Sequence, residues 1–136
     1  MRFQRLQNAA TRHGIAVRDV VLPAEGVVYN AAGLGLHYLE WPLHPGVREG
    51  DPAVILLHGG GLHAHTFDLV GNLLRRRARC IALDLRGHGD SDWAAAHDYG
   101  SQATADDIDT AIEALGVNRA VVAGHSMGGV GAMVWA

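Results

Sequence analysis

The sequence predicts an α/β fold, in which a mostly parallel sheet carries helices on both faces and is preceded by antiparallel strands. Mostly apolar runs, which are typical of strands buried on both faces, occur at 53–57, 80–85 and 120–123, and the first of them is apolar throughout. Segments with the apolar spacing of a helix separate and follow these runs. Such alternation indicates parallel strands joined by right-handed crossovers.

The part of the chain before the first apolar run predicts a smaller, antiparallel region. Residues 1–14 form a polar lead-in or a short helix, and 15–22 form a strand that ends at Pro23. Extended segments at 27–29 and 34–41 are separated by turn residues at 30–33, so we expect them to pair as antiparallel neighbours. Residues 42–52, with three prolines, predict a surface loop.

Two helices are predicted between the apolar runs. Thr66 is expected to cap the first helix, which has apolar residues at i, i+3 and i+7. The second helix is expected to begin at Ser101 or Thr104. Acidic residues near the start of the second helix favour its dipole, and Gly116 is suited to the position after its end. The apolar residues of the first helix are Phe67, Val70 and Leu74. The acidic residues of the second are Asp106, Asp107 and Asp109.

Composition excludes several classes of function. The chain has 136 residues, of which 49% are hydrophobic and 18% charged, which is typical of one globular domain. A net charge of −3 gives no electrostatic reason to expect a nucleic acid or an anionic membrane as partner. The single cysteine fits a reducing compartment, and the N-terminus lacks the apolar stretch of a signal peptide. We therefore expect a cytoplasmic protein.

A serine flanked by glycines follows the last apolar run. Gly124 and Gly128 frame Ser126 in the pattern G-x-S-x-G, between a predicted strand and a predicted helix. This arrangement is typical of a nucleophile elbow, a sharp turn that exposes one serine hydroxyl at the edge of a sheet. His58 and Asp84 also follow predicted strands, so we expect both to lie at the same edge as Ser126.

Together these motifs resemble the α/β-hydrolase superfamily, in particular its esterase and cofactor-free haloperoxidase-like branch. The resemblance covers about residues 15–136, which we take as the domain after the 1–14 lead-in. A serine at position 126 argues against the haloalkane dehalogenases and epoxide hydrolases, whose elbow carries aspartate. The stretches that carry the resemblance are L-H-Y-L-E-W (36–41), V-I-L-L-H-G-G-G (54–61), A-L-D-L-R-G-H-G-D-S-D (82–92), A-D-D-I (105–108) and V-V-A-G-H-S-M-G-G (121–129).

The resemblance implies a role for each matching residue. Ser126 would be the nucleophile, and the backbone N–H groups of Gly60 and Met127 would form the oxyanion hole. His58 would support the oxyanion loop, and Asp84 and Arg86 would be a loop-fixing pair. The remaining supporting positions are Gly59, Gly61, Gly124, His125 and Gly128.

The expected ligand is a small-molecule acyl compound, and neither a cofactor nor a metal is expected. His63 and His65 could line the entrance to the pocket, but as a metal pair they lack a third ligand nearby in the sequence. Ser91 and Ser101 are interpreted as turn or cap residues.

The sequence departs from the family after the elbow. In the family the acid and the histidine follow the serine, but only ten residues follow Ser126 and none is Asp, Glu or His. The chain is thus expected to be the N-terminal half of a hydrolase, inactive by itself. Its last strand would have an unpaired edge, which favours self-association.

Two alternatives to an ester hydrolase remain open. The chain could be a non-catalytic fragment or an interaction module, because acid and base are absent. It could also belong to an enzyme that uses the scaffold for perhydrolysis, C–C bond hydrolysis or acyl transfer, which product analysis would distinguish. The coding DNA after Ala136 would separate an incomplete sequence from an inert one.

Overall fold

The computed structural model describes residues 1–48 and 50–136; Glu49, part of the predicted loop 42–52, lies outside the described residues. The strands are β1 (Ala24–Tyr29), β2 (Gly35–Glu40), β3 (Ala53–Leu57), β4 (Cys80–Leu83) and β5 (Ala120–Gly124). The helices are α1 (Arg2–Arg12), α2 (Asp68–Leu74), α3 (Ser101–Ala114) and α4 (Met127–Trp135). Two short 3₁₀ helices span Val17–Asp19 and Ala64–Phe67.

The five strands form one mixed sheet in the order β1-β2-β4-β3-β5. β3 lies in parallel between β4 and β5, whereas β2 is antiparallel to both β1 and β4. This confirms the predicted fold class, including the antiparallel N-terminal strands. Because β3, β4 and β5 run in the same direction, the residues that follow them lie along one edge of the sheet.

Apolar side chains are buried on both faces of the sheet. One face holds Ile55, Leu57, Ile81 and Leu83 and packs against α3 and α4 through residues such as Ile108. The other face holds Leu39, Leu56 and Cys80, with Trp41, and is covered by the second 3₁₀ helix and α2. Burial on both faces explains why β3 and β4 are apolar without alternation.

The N-terminal segment agrees with the prediction only in part. The lead-in contains an 11-residue helix, α1, as one of the two predicted alternatives had it, and its Leu6 and Ala10 pack against Val20. The strand predicted over 15–22 is wrong, because the 3₁₀ helix lies in its middle. Val21 has its N–H and its carbonyl bonded to the side chain of Asn72 at 2.7 and 3.0 Å, so an amide side chain takes the place of a neighbouring strand.

One predicted helix start is confirmed and the other is wrong. α3 begins at Ser101, one of the two residues predicted. Phe67, not Thr66, precedes α2, and neither helix has a side-chain cap. No acidic residue lies in the first turn of α3. Asp107 instead points to Arg86, so a tertiary ion pair accounts for an acid that the helix dipole was expected to explain. Gly116, with φ of +62°, ends α3 as predicted.

β5 lies at one edge of the sheet and pairs only with β3 in the described part of the chain. Val121 is 54% exposed on this strand, and Met133 is 73% exposed on α4 beside it. The longest helix described is α3, with 14 residues. Across the described residues, no helix combines the length and the apolar character that crossing a bilayer requires.

Candidate functional site

Ser126 occupies a sharp corner between β5 and α4. Its φ of +52° and ψ of −115° lie where residues with a Cβ are rarely found. The corner is held from both sides: the His125 N–H donates to the carbonyl of Leu57 at 2.9 Å, and the Ser126 carbonyl accepts from the Val130 N–H at 3.0 Å. The serine is exposed at the carboxyl end of β5, where its hydroxyl can meet a ligand.

The two glycines of the corner are required by close backbone contacts. A Cβ at Gly124 would lie 2.3 Å from the carbonyl carbon of Gly128, and a Cβ at Gly128 would lie 2.5 Å from the carbonyl oxygen of Leu57. Both distances are below any van der Waals contact, and the atoms opposite are backbone atoms that cannot rotate away. The motif glycines are therefore explained by the approach of α4 to β5 and β3.

The glycine-rich loop after β3 packs against this corner. A Cβ at Gly59 would lie 2.7 Å from Nδ1 of His125 and 3.4 Å from Cβ of Ser126. One at Gly60 would lie 3.9 Å from Sδ of Met127, an ordinary contact distance. Gly61 takes a φ of +72°. The loop and the start of α4 thus lie side by side.

His58 is fully buried and both of its ring nitrogens are bonded. Nε2 accepts from the Leu85 N–H at 3.0 Å, which leaves the proton on Nδ1 to be donated to the Gly59 carbonyl at 2.8 Å. Burial lowers the pKa of His58 below its usual value, because the charged form loses solvation. A neutral histidine with no free nitrogen connects two loops, and a further proton on Nε2 would break the bond from the Leu85 N–H.

Asp84 is buried and connects three segments. Oδ1 accepts from the Ala64 N–H at 2.6 Å, while Oδ2 accepts from the Asp90 N–H at 3.0 Å and faces Nδ1 of His37 at 2.8 Å. The Ser91 hydroxyl donates to the Asp84 carbonyl at 2.6 Å. This carboxylate therefore holds the loop after β4 against the second 3₁₀ helix and β2.

Arg86 fixes the same loop through other partners. Its guanidinium donates two hydrogen bonds of 2.7 Å to the carboxylate of Asp107, which is 1% exposed, and a third to the Asp98 carbonyl at 3.0 Å. The bonds to Asp107 raise the pKa of Arg86. Asp84 and Arg86 therefore each brace the loop, but against different elements.

The structure brings most of the predicted residues together. One group meets where β3 and β5 end: His58, Gly59, Gly60, His125, Ser126 and Met127. Asp84 and Arg86 lie behind this group and support the loop after β4. The sequence interpretation missed His37 and Asp107 as partners of that loop. Their signal was weak: polar residues at positions where a buried strand or a helix face predicts apolar ones.

The corner offers an exposed serine hydroxyl and backbone amide donors. Met127 is the first residue of α4, so its N–H belongs to the group that a helix leaves without an intrahelical acceptor. Such amides attract negative charge. Within the described residues, no histidine or carboxylate forms a hydrogen bond with the Ser126 hydroxyl.

Comparisons with known proteins agree with this architecture. The chain is 40% identical over 90 residues to the uncharacterized protein Rv2715 of Mycobacterium tuberculosis, covering 66% of this chain and 26% of that protein. It is 37% identical over 82 residues to Esterase Rv0045c of the same organism, covering 60% and 27%. The chain thus spans about a quarter of the length of these relatives.

Solved structures give the same result. A bacterial membrane phospholipase A described as a virulence factor superposes with a TM-score of 0.74 at 28% identity, covering 98% of this chain and 40% of that one. The model of the alpha/beta hydrolase fold matches residues 52–136, which include β3 to α4. With the sheet order and the elbow geometry, these matches show that the chain belongs to the α/β-hydrolase family.

Proposed function

We propose that Ser126 is the nucleophile of a serine hydrolase that acts on esters or related small acyl compounds. The observation that carries the proposal is the backbone of Ser126, a non-glycine residue with φ of +52° at the start of a helix. Strain of this kind is found where a fold over-determines a functional residue. The esterase named among the relatives supports acyl chemistry for the whole protein.

In this proposal the N–H groups of Gly60 and Met127 bind the oxyanion. The carbonyl oxygen of the acyl group gains negative charge when the serine attacks it, and each amide donor contributes about 3 kcal/mol to the stability of that state. Gly60 lies beside Met127 in the structure, which supports a shared role. His58, with both nitrogens bonded, supports the loop and takes no part in proton transfer.

A serine hydroxyl needs a base to remove its proton. We propose that the histidine and its acid come from sequence outside these 136 residues, since the chain spans about a quarter of its relatives' length. The same proposal places the protein in the cytoplasm, where the buried Cys80 stays a thiol; burial raises the pKa of this thiol to about 12.

Hydrolysis of p-nitrophenyl butyrate tests the proposal. We expect no turnover by the 136-residue chain above that of its Ser126→Ala variant. A gene product that continues beyond Ala136 should hydrolyse the ester, and Ser126→Ala should lower its kcat by a factor on the order of 10⁴ or more. Ser101→Ala, at an exposed serine, is the matched control and should retain activity.

Labelling of serine with a fluorophosphonate gives a second readout on the longer product. Mass spectrometry should place the adduct on Ser126. Full activity of the Ser126→Ala variant, or an adduct at another serine, would contradict the proposal. Products that retain the acyl group on an alcohol, or that carry a peracid, would favour acyl transfer or perhydrolysis with the same nucleophile.

A further inference from the structure

A surface cavity opens between the turn that joins β1 to β2 and the loop that follows β4. Its volume is about 600 Å³, which lies within the range of pockets that hold small molecules. Leu34, Trp93 and the alanines at 94–96 form its apolar wall. The charged residues that line it are Arg86, Asp92 and Asp98. We call it the turn cavity.

Trp93 is kept at the surface of this cavity by neighbours that are anchored on both sides. The residue is 79% exposed, although tryptophan is on average highly buried in proteins. Before it, the Asp92 N–H donates to the carbonyl of Gly35 at 2.9 Å. After it, the N–H of the buried Ala94 donates to the Tyr99 hydroxyl at 3.0 Å. The backbone is thus ordered before a ligand arrives, which lowers the entropic cost of binding.

The opposite wall of the turn cavity is ordered as well. Oδ1 of Asn30 accepts from the N–H groups of Ala32 and Leu34, each at 3.0 Å, so the side chain closes the turn. Oδ2 of Asp92 accepts from the Gly35 N–H at 2.8 Å and connects the two walls. The turn cavity is therefore preformed, as ligand pockets usually are.

The charge around the turn cavity is negative. Among the described residues that line it, Arg86 is the only cation. Its guanidinium is already bonded twice to the Asp107 carboxylate and once to the Asp98 carbonyl. The carboxylates of Asp92, Asp98 and Asp107 therefore exceed the single guanidinium. The side chain of Asp98 is 63% exposed, so its carboxylate is open to a ligand that carries positive charge.

We propose that the turn cavity binds a small organic cation, of the quaternary ammonium or alkylammonium type, against the ring of Trp93. Among aromatic side chains the indole ring attracts cations most strongly, and Asp92 and Asp98 supply the opposite charge. The wall of alanines matches the methyl or methylene groups that surround such a charge. A metal ion suits the turn cavity less, because no three metal-binding side chains of the described residues converge there.

The site is independent of the proposed nucleophile. The turn cavity is formed by the β1–β2 turn and the loop after β4, whereas the corner at Ser126 is formed by β5, α4 and the glycine-rich loop. Ser126→Ala should therefore leave cation binding unchanged. Loss of hydrolysis and loss of cation binding can be recognised separately, so either proposal can fail without the other.

Tetramethylammonium is the probe that tests the proposal, and tert-butanol is its uncharged counterpart of similar shape. Saturation-transfer difference NMR of their methyl protons, at constant ionic strength, measures binding to the 136-residue chain and tolerates its self-association. We expect saturable binding of tetramethylammonium with a Kd on the order of millimolar. Binding of tert-butanol should be weaker by about tenfold or more.

Two variants separate the ring from the charge. Trp93→Leu keeps an apolar side chain but removes the aromatic face, and should weaken binding by roughly three- to thirtyfold. Asp98→Asn, which keeps the oxygen that accepts from the Gly100 N–H, should weaken binding by about two- to fivefold. Phe3→Leu and Asp51→Asn are the matched controls, because both residues are exposed and lie outside the turn cavity.

Circular dichroism first confirms that each variant is folded. The proposal is overturned if the wild-type chain shows no saturable binding of tetramethylammonium, or if tert-butanol binds as tightly. It is equally overturned if Trp93→Leu binds like the wild type, or if Phe3→Leu or Asp51→Asn weakens binding as much as the cavity variants do.

Discussion

The backbone N–H of Gly128 donates a hydrogen bond of 3.1 Å to the carbonyl of His58. This bond joins the first turn of α4 to the residue that begins the glycine-rich loop. A Cβ at position 128 would lie 2.7 Å from the same carbonyl oxygen, so the contact requires glycine. The corner at Ser126 and the glycine-rich loop are therefore joined by a contact between backbone atoms, which does not depend on side-chain rotamers.

Replacing Gly124 by alanine should destabilise the fold. The new Cβ would lie 2.3 Å from backbone atoms of Gly128, and overpacking of this kind costs about 1–3 kcal/mol. Urea unfolding measures the effect. Gly60→Ala is the matched control, because its Cβ meets only Sδ of Met127 at 3.9 Å. Equal stability of the two variants would show that the corner can open without cost.

Replacing Ser126 by glycine should stabilise the chain relative to Ser126→Ala. Glycine adopts positive φ without a steric penalty, whereas alanine keeps the Cβ that makes φ of +52° unfavourable. Strain at such positions amounts to about 1–3 kcal/mol. Denaturant melts of the two variants give the difference, and neither variant can act as a nucleophile. A lower Tm for the glycine variant would contradict the strain argument.

His58 should make the fold sensitive to acid. Burial lowers its folded-state pKa below the usual 6.5, and the groups that face it are the Gly59 carbonyl, His88, Asp84 and His63. Below pH 6.5 the unfolded chain binds more protons than the folded one, so the stability from neutral His58 is present above that pH and lost as the pH falls toward the folded-state pKa.

The pH sensitivity is measured as the difference in unfolding free energy between wild type and His58→Gln. Contributions of the other titrating groups cancel in this difference. We expect it to shrink as the pH is lowered from 7.5 through 6. His13→Gln, at an exposed position, should show no such trend. A difference that stays constant over this range would mean that His58 is not held neutral.

The 136-residue chain should self-associate through β5. In the described part of the chain this strand is an unpaired edge of the sheet, with Val121 exposed next to the exposed Met133 of α4, and such edges pair with other chains. Light scattering after size exclusion should give a mass above that of the monomer. Val121→Lys should restore the monomer, whereas Val27→Lys, on the opposite edge strand β1, should not. A monodisperse wild-type monomer would refute the prediction.

Local features of the sequence were sufficient to predict much of the fold. Apolar runs marked β3, β4 and β5 within two residues, and the spacing of glycines around Ser126 marked the corner. These signals are local, because burial on both faces and backbone crowding act directly on the residues concerned. The strand predicted over 15–22 failed for the opposite reason, since its backbone is satisfied by Asn72 on α2, 51 residues away from Val21.

By itself, the sequence determined the fold class and the position of a glycine-flanked serine after the last strand. Only the tertiary structure decided which polar side chains meet. It placed Asp107 on Arg86 and Asp84 on His37. The physical reason is distance along the chain: a hydrogen bond between residues 21 or 47 positions apart leaves no periodicity to detect, and it exists only once the sheet has brought its strands together.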